Sequence, residues 1–365
     1  MRTVLEPRLV DPTAFEPGLV VDVRDEKRAL LFDLGPPIEA LPPRVLLRAT
    51  HAFVTHTHMD HFAGFDHLLA LGLGRVGRLV VWGGPGFCEQ VGHKLAAYTW
   101  NVVHRYEVPM TIEAHALAPD GSRRVARFES RDGFAPVTAT ADAPMAAPAD
   151  APPGDARANP GAKGAAGAAP PDGVHLLLDE PLFSVRAAFV DHEMPVLSFA
   201  IEEKAQLRVA AGRLAAMGLA TGAWLRTLKA LVLAGAADDT PVDLAWRDAR
   251  GEHAERRSVG ELKPLVLDTV PGRRVGYVTD LRGTPDNVER LAALLARCDL
   301  LYIESVFSDA DREQARRKNH LTAGDAGAIA RRLGAGQVVP FHFSPRYRGG
   351  EERLREEVAA AWRGA

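Results

Sequence analysis

Cysteine is almost missing. The 365 residues hold two, Cys88 and Cys298, far apart and in no CxxC pattern. Two distant cysteines cannot build a disulfide framework or a four-thiolate zinc site. Excess charge of one sign is missing too. Lys and Arg total 44 against 47 Asp and Glu, a formal net charge of −3. That excludes binding nucleic acid by wholesale basic charge and leaves room for a local basic groove. Long apolar runs are absent. The opening Met1-Arg-Thr-Val-Leu-Glu-Pro-Arg8 carries charges where a signal peptide needs an unbroken apolar stretch. The greasiest stretch, 214–237, has Arg226 and Lys229 near its middle, where a spanning helix would bear a large cost. The expected location is the cytoplasm, with no membrane partner.

One segment lacks nearly everything a core needs. Residues 135–173 contain 15 Ala, 8 Pro and 5 Gly and no aromatic. Such a stretch buries too little apolar surface to offset the entropy of ordering it. It is expected to be a disordered insertion in a single domain spanning 1–365. A helical insertion is expected at about 205–235, from helical spacing over 209–217 and 222–231.

The remainder alternates strand and helix patterns. Leu19–Val23, Ala29–Asp33, Ala52–Thr55 and Leu79–Trp82 read as strands, as do 174–178, 182–190, 194–201, 274–279, 300–303 and 337–341. Residues 61–71 have helical spacing, with Phe62, Phe65, Leu68 and Leu69 on one face. Further helices are expected near 285–297, 322–333 and 350–362. The first part suits antiparallel hairpins and the last third has a βαβ rhythm. The fold class is α/β (α+β), with two mixed β-sheets flanked by helices.

The chemistry concentrates in Thr55-His56-Thr57-His58-Met59-Asp60-His61. Four ligand-type side chains follow a hydrophobic strand, where side chains splay into a cleft. His56 and His58 are two apart and point to one side. Asp60 and His61 open the next helix and are free to face a second position. Imidazole nitrogens with a carboxylate suit zinc, with manganese or iron also possible. Three further strands end in ligand-type residues: His192 after 182–190, Asp280 after 274–279, and His342 after 337–341. Strand ends are where open α/β sheets build their sites. A basic run of Arg312, Arg316, Arg317 and Lys318 precedes His320 and is a candidate anion-facing surface beside the site.

This pattern, HxHxDH with a later His, Asp and His, resembles the metallo-β-lactamase superfamily. Three stretches resemble its ribonuclease Z family of tRNA 3′-processing endonucleases: Asp191–Glu203, Gly276–Arg282 with Cys298–Phe307, and His320–Ala330 leading into Val339–Tyr347. The resemblance implies an αββα sandwich. It implies two zinc ions per chain: one on His56, His58 and His192, a second on Asp60, His61 and His342, with Asp280 bridging. It implies His320 as a catalytic histidine accompanied by Glu304, with Asp60 orienting or deprotonating a water. Ser344, Arg346 and Tyr347 would hold the substrate phosphate. The implied partner is RNA, as precursor tRNA, and the family often forms homodimers. The sequence departs from the family in lacking its glycine-rich opening. Leu207–Gly235, which corresponds to the family's tRNA-gripping arm, is apolar and poor in basic residues. A second reading therefore keeps the metals and takes a small phosphodiester, such as a cyclic nucleotide, or another ester.

Overall fold

The computed structural model describes residues 4–139, 173–248 and 251–364. Most of the 135–173 insertion therefore lies outside the described residues. Its first residues do not follow the expectation: Pro136–Ala139 is a strand, paired antiparallel with Arg123–Glu129. A short edge strand needs only one neighbour, so its Pro and Ala content did not prevent pairing.

The described chain divides into two compact units, 4–139 with 173–203 and 273–364, and 204–272. The larger unit is built on two sheets. One has eight strands in sequence order from Leu5–Leu9 to Pro136–Ala139. It is mixed: Leu19–Val23 pairs antiparallel with Arg28–Phe32, which pairs parallel with Ala49–Phe53, followed in parallel by Arg78–Gly83 and Thr111–Leu117. The other has six strands. Val174–Asp179, Phe183–Asp191, Pro195–Glu203 and Arg274–Val278 run antiparallel, and Leu300–Glu304 and Val338–Phe341 add in parallel.

Alternation along the strands explains the layers. On the first sheet Val21, Leu30, Phe32, Phe53 and Trp82 join a buried cluster with Phe199 and Tyr277 of the second sheet. Phe32 stacks on Phe53 at 4.9 Å, and Phe199 meets both edge-on. The alternate residues Val20, Leu31, Ala52, Val54 and Val81 pack against Phe62, Phe65, Leu68, Phe87 and Val91 from the helices outside that sheet. Leu291, Leu295, Ile329, Leu333 and Leu354, from Pro285–Leu295, Ala323–Leu333 and Glu351–Arg363, belong with the other sheet's cluster. The order is helices, sheet, sheet, helices.

The helix read over 61–71 is two pieces, Met59–Phe62 and Phe65–Gly72. At Gly64 an added Cβ would lie 2.5 Å from the Gly35 carbonyl oxygen and 2.3 Å from the Ile38 side chain. The backbones approach there as only glycine permits, and this turn sets Asp60 and His61 beside the strand ends.

The smaller unit pairs Gln206–Val209 with Leu267–Val270 and contains helices Ala211–Ala216 and Trp224–Leu233. It also holds a hairpin, Pro241–Asp248 with Gly251–Ser258, and a helix, Val259–Val266, that the sequence reading did not anticipate. Val242, Leu244 and Leu262 share its core with Trp224 and Leu228. Among the described residues no helix is long and apolar enough to cross a membrane.

Candidate metal centre

Six strand ends of the larger unit converge. Asp33 follows Arg28–Phe32, His56 follows Ala49–Phe53, and His192 sits in the turn between Phe183–Asp191 and Pro195–Glu203. Asp280 follows Arg274–Val278, Glu304 ends its strand, and His342 follows Val338–Phe341. Asp33, Asp280 and His342 adopt positive φ of 59°, 52° and 57°. Left-handed backbone at a non-glycine costs of order 1 kcal/mol or more and clusters where side chains must be aimed.

The convergence brings together three groups of potential ligand atoms: His56, His58, His192 and Asp280; Asp60, His61 and His342; and Asp280, Glu304, His320 and His342. All seven residues named as ligands from the sequence fall in the first two groups, and among the described residues the one further histidine in such a group is His320, in the third. Nε2 of His56, His61 and His192 lies 3.4, 3.4 and 3.6 Å from one Asp280 oxygen. Nε2 of His61 and of His342 lies 3.4 and 3.5 Å from an Asp60 oxygen. These separations are long for hydrogen bonds. They match the edge, about 3.4 Å, of a tetrahedron with 2.1 Å metal–ligand bonds. Nε2 of His56 and of His61 is buried without a hydrogen-bond partner. Orphaned imidazole nitrogens facing shared carboxylate oxygens are what a bound cation would satisfy, so the donor set fits divalent metal.

The electrostatics agree. Burial works against charge on Asp280, but His61 and His342 hold its carboxyl well below the usual range. Burial likewise opposes ionisation of Asp60, and the neighbouring His342 and His61 imidazoles reverse this. His61 and His342 are raised despite burial, chiefly by the Asp280 carboxylate. The two carboxylates thus draw positive charge to their side of the cluster, the role a bound cation would take. Burial lowers His58 and His192, keeping the neutral form that metal ligation needs.

The bracing residues were not legible. Asp33, with a side chain fully buried, accepts from Thr55 N (2.8 Å), Thr55 Oγ1 (2.9 Å) and the Tyr277 hydroxyl (2.9 Å), and pairs with His61 Nδ1 at 2.9 Å. This turns His61 Nε2 toward Asp60 and Asp280. The Asn319 carbonyl lies 2.8 Å from His192 Nδ1 and does the same there. The only signal for Asp33 was an acidic residue closing an apolar strand, the feature that flagged Asp280.

Glu304 is fully buried. Its oxygens accept from Asp280 N (2.8 Å) and Leu321 N (2.9 Å) and pair with His320 Nδ1 at 3.0 Å. Burial pushes this carboxyl up, and His320 outweighs that, leaving it at about 2. With its lone pairs so occupied, Glu304 braces the Asp280 and His320 loops. Burial disfavours charge on His320, but the Glu304 carboxylate raises it above its ordinary value. Ser344 and Arg346 follow His342; Arg346 lies over the Phe307 ring at 5.4 Å and 3.7 Å from Asp311. The Tyr347 hydroxyl is not brought to the cluster. It contacts Asp311 and accepts from Ser308 N at 3.1 Å.

A β-lactamase superfamily domain family matches residues 239–343. A ribonuclease Z from Deinococcus radiodurans is 29% identical over 339 residues, covering 93% of this chain and 88% of that protein. One from Thermobifida fusca is 36% identical over 186 residues, 51% of each chain. Among solved structures, the short form of human tRNase Z has a TM-score of 0.50 at 18% identity, covering 93% of this chain and 90% of its own. A metallo-β-lactamase fold protein from Bacillus subtilis also scores 0.50, at 13% identity, covering 98% and 92%. These structural likenesses concern the fold.

Proposed function

We propose, for a chain that matches a β-lactamase superfamily domain over residues 239–343 and resembles ribonuclease Z, a metal-dependent endoribonuclease that removes 3′ trailers from precursor tRNA. The observation that carries this is the convergence of five imidazoles and two carboxylates at strand ends with orphaned Nε2 atoms among them. His56, His58 and His192 would hold one zinc ion, Asp60, His61 and His342 a second, and Asp280 would touch both; manganese or iron suits the same donors. When bound, such a pair supplies Lewis-acid charge against a phosphodiester and lowers the pKa of water toward neutrality.

The chain's own residues do the rest. Asp60 has a side chain 43% exposed, so a carboxylate oxygen is open to orient a water and take its proton. His320 has Nδ1 fixed by Glu304, which leaves Nε2 for the substrate. Its raised pKa keeps a proton available near neutrality, and it gives that proton to the departing 3′ oxygen. Ser344 and the exposed Arg346 guanidinium bind phosphate oxygens, the latter as a planar fork. Tyr347, held by Ser308 and Asp311, braces the loop that carries them.

The test compares two substrates on zinc- or manganese-loaded protein: a 3′-extended precursor tRNA and bis(p-nitrophenyl) phosphate. Both should be hydrolysed, and the RNA KM should rise steeply with salt as counterions are released. Turnover of the small ester with an inert RNA would overturn the RNA reading and favour a small phosphodiester.

A further inference from the structure

Beside His320 a cavity of about 240 Å³ opens that no step above uses. Arg282, Arg312, Arg316, Asn319 and Asp325 line it with His320 itself. Its lining holds three guanidiniums and one carboxylate, and further carboxylates pair with two of those guanidiniums from outside it. Two of the three are already fixed. Arg282 reaches Asn319 Oδ1 (2.8 Å) and Asp191 (3.1 Å), and Arg312 bridges Asp325 and Asp309, both at 2.7 Å. Arg316 is exposed, and its guanidinium has no hydrogen-bond or ion-pair partner among the described residues. Its neighbour Arg317 bonds Gln314 and does not line the cavity. The structure thus separates the members of the basic run before His320.

We infer that this cavity is a subsite for a backbone phosphate of the substrate strand, next to the one at the metal centre, with Arg316 as its free cation. The inference rests on the proposed RNA substrate. A single-phosphate ester at the metal centre cannot also fill a second cavity beside His320, whereas a strand continues past it. The paired arginines are already held in place, so ordering them costs little side-chain entropy on binding, and Arg316 supplies the uncommitted charge and fork.

The test is binding of a fluorescent 3′-extended precursor tRNA to the full chain by anisotropy, across 50–300 mM KCl. The proteins are wild type, Arg316→Gln, Arg316→Lys and Arg317→Gln. Arg316→Gln should weaken binding about fivefold to tenfold and reduce the slope of log K against log salt by about 0.7, the value for one phosphate on a single strand. Arg316→Lys should restore the slope, and Arg317→Gln should match wild type. Equal losses for Arg316→Gln and Arg317→Gln, or none for either, would overturn the subsite. Cleavage of the same RNA is read separately. Arg316-dependent binding without cleavage sinks the proposed function and not the subsite; cleavage with Arg316-independent binding does the reverse.

Discussion

Asp33→Asn isolates the bracing of the metal site, because it changes one atom and one charge in a closed environment. The carboxylate serves Thr55 N and Oγ1 through one oxygen, and the Tyr277 hydroxyl and His61 Nδ1 through the other. An amide keeps one acceptor and turns the other into a donor. If the amide nitrogen replaces the first oxygen, it faces the Thr55 N–H, which cannot reverse. If it replaces the second, the Tyr277 hydroxyl can rotate, and His61 must accept at Nδ1. Its proton then moves to Nε2, the atom that faces Asp60 and Asp280. A buried donor left unpaired costs about 1–3 kcal/mol. Loss of a partner that orients a metal-bound histidine costs about 10–100-fold in metal affinity. The variant should therefore fold, melt several degrees lower, and release metal to a chelator at 10–100-fold lower chelator concentration. Competition titration with a chromogenic chelator reads the second quantity, and circular dichroism melts read the first. A folded Asp33→Asn protein with wild-type metal affinity would refute the argument that Asp33 sets the His61 ring.

Chelation should lower the melting temperature of the wild type, since a cation held at 100 times its Kd adds about 2.7 kcal/mol; unchanged melting with stripped metal would show that the site is unused. Lys27 follows the short turn Arg24–Glu26 at φ 52°, so Lys27→Gly should raise stability by about 0.5–1 kcal/mol in denaturant melts, and a loss would contradict the strain assigned to that turn. Burial, with Arg28 and Arg78, pulls His51 down to about 3. The unfolded chain takes up a proton on this residue below about pH 6.5, and the native state does not until far lower. His51 therefore erodes stability as pH falls from 6.5, by about 2 kcal/mol at pH 4.5 after allowing for its partial exposure. In metal-free protein, His51→Gln should lose that much less than wild type over the same range; parallel pH curves would count against a neutral buried His51.

The side chains that the fold gathers into candidate metal groups were legible because their signal is local. Four donors within six residues after an apolar strand have few structural explanations, and His192, Asp280 and His342 each end a strand that its own composition reveals. Asp33, Tyr277 and Asn319 act through partners 22 to 244 residues away, or through a backbone carbonyl, and no local pattern marks that. Two edge strands were hidden by proline, which is excluded from central strands but tolerated at Pro7 and Pro136. The hairpin 241–258 had its alternation in view, with Val242 and Leu244 buried, but its second strand is mostly polar and charged. Tyr347 illustrates the opposite limit: the resemblance located its segment, and only the structure shows its hydroxyl turned to Ser308 and Asp311.

The proposed activity of this constellation is cleavage of RNA at a tRNA 3′ end. The most direct measurement maps the ends produced when metal-loaded protein meets a precursor tRNA carrying a 3′ trailer, with Asp60→Ala in parallel. One cut just after the discriminator base is expected, with a 3′-hydroxyl on the tRNA, a 5′-phosphate on the trailer, and no product from Asp60→Ala. An uncut precursor, or the same product from a cleanly purified Asp60→Ala protein, would contradict it.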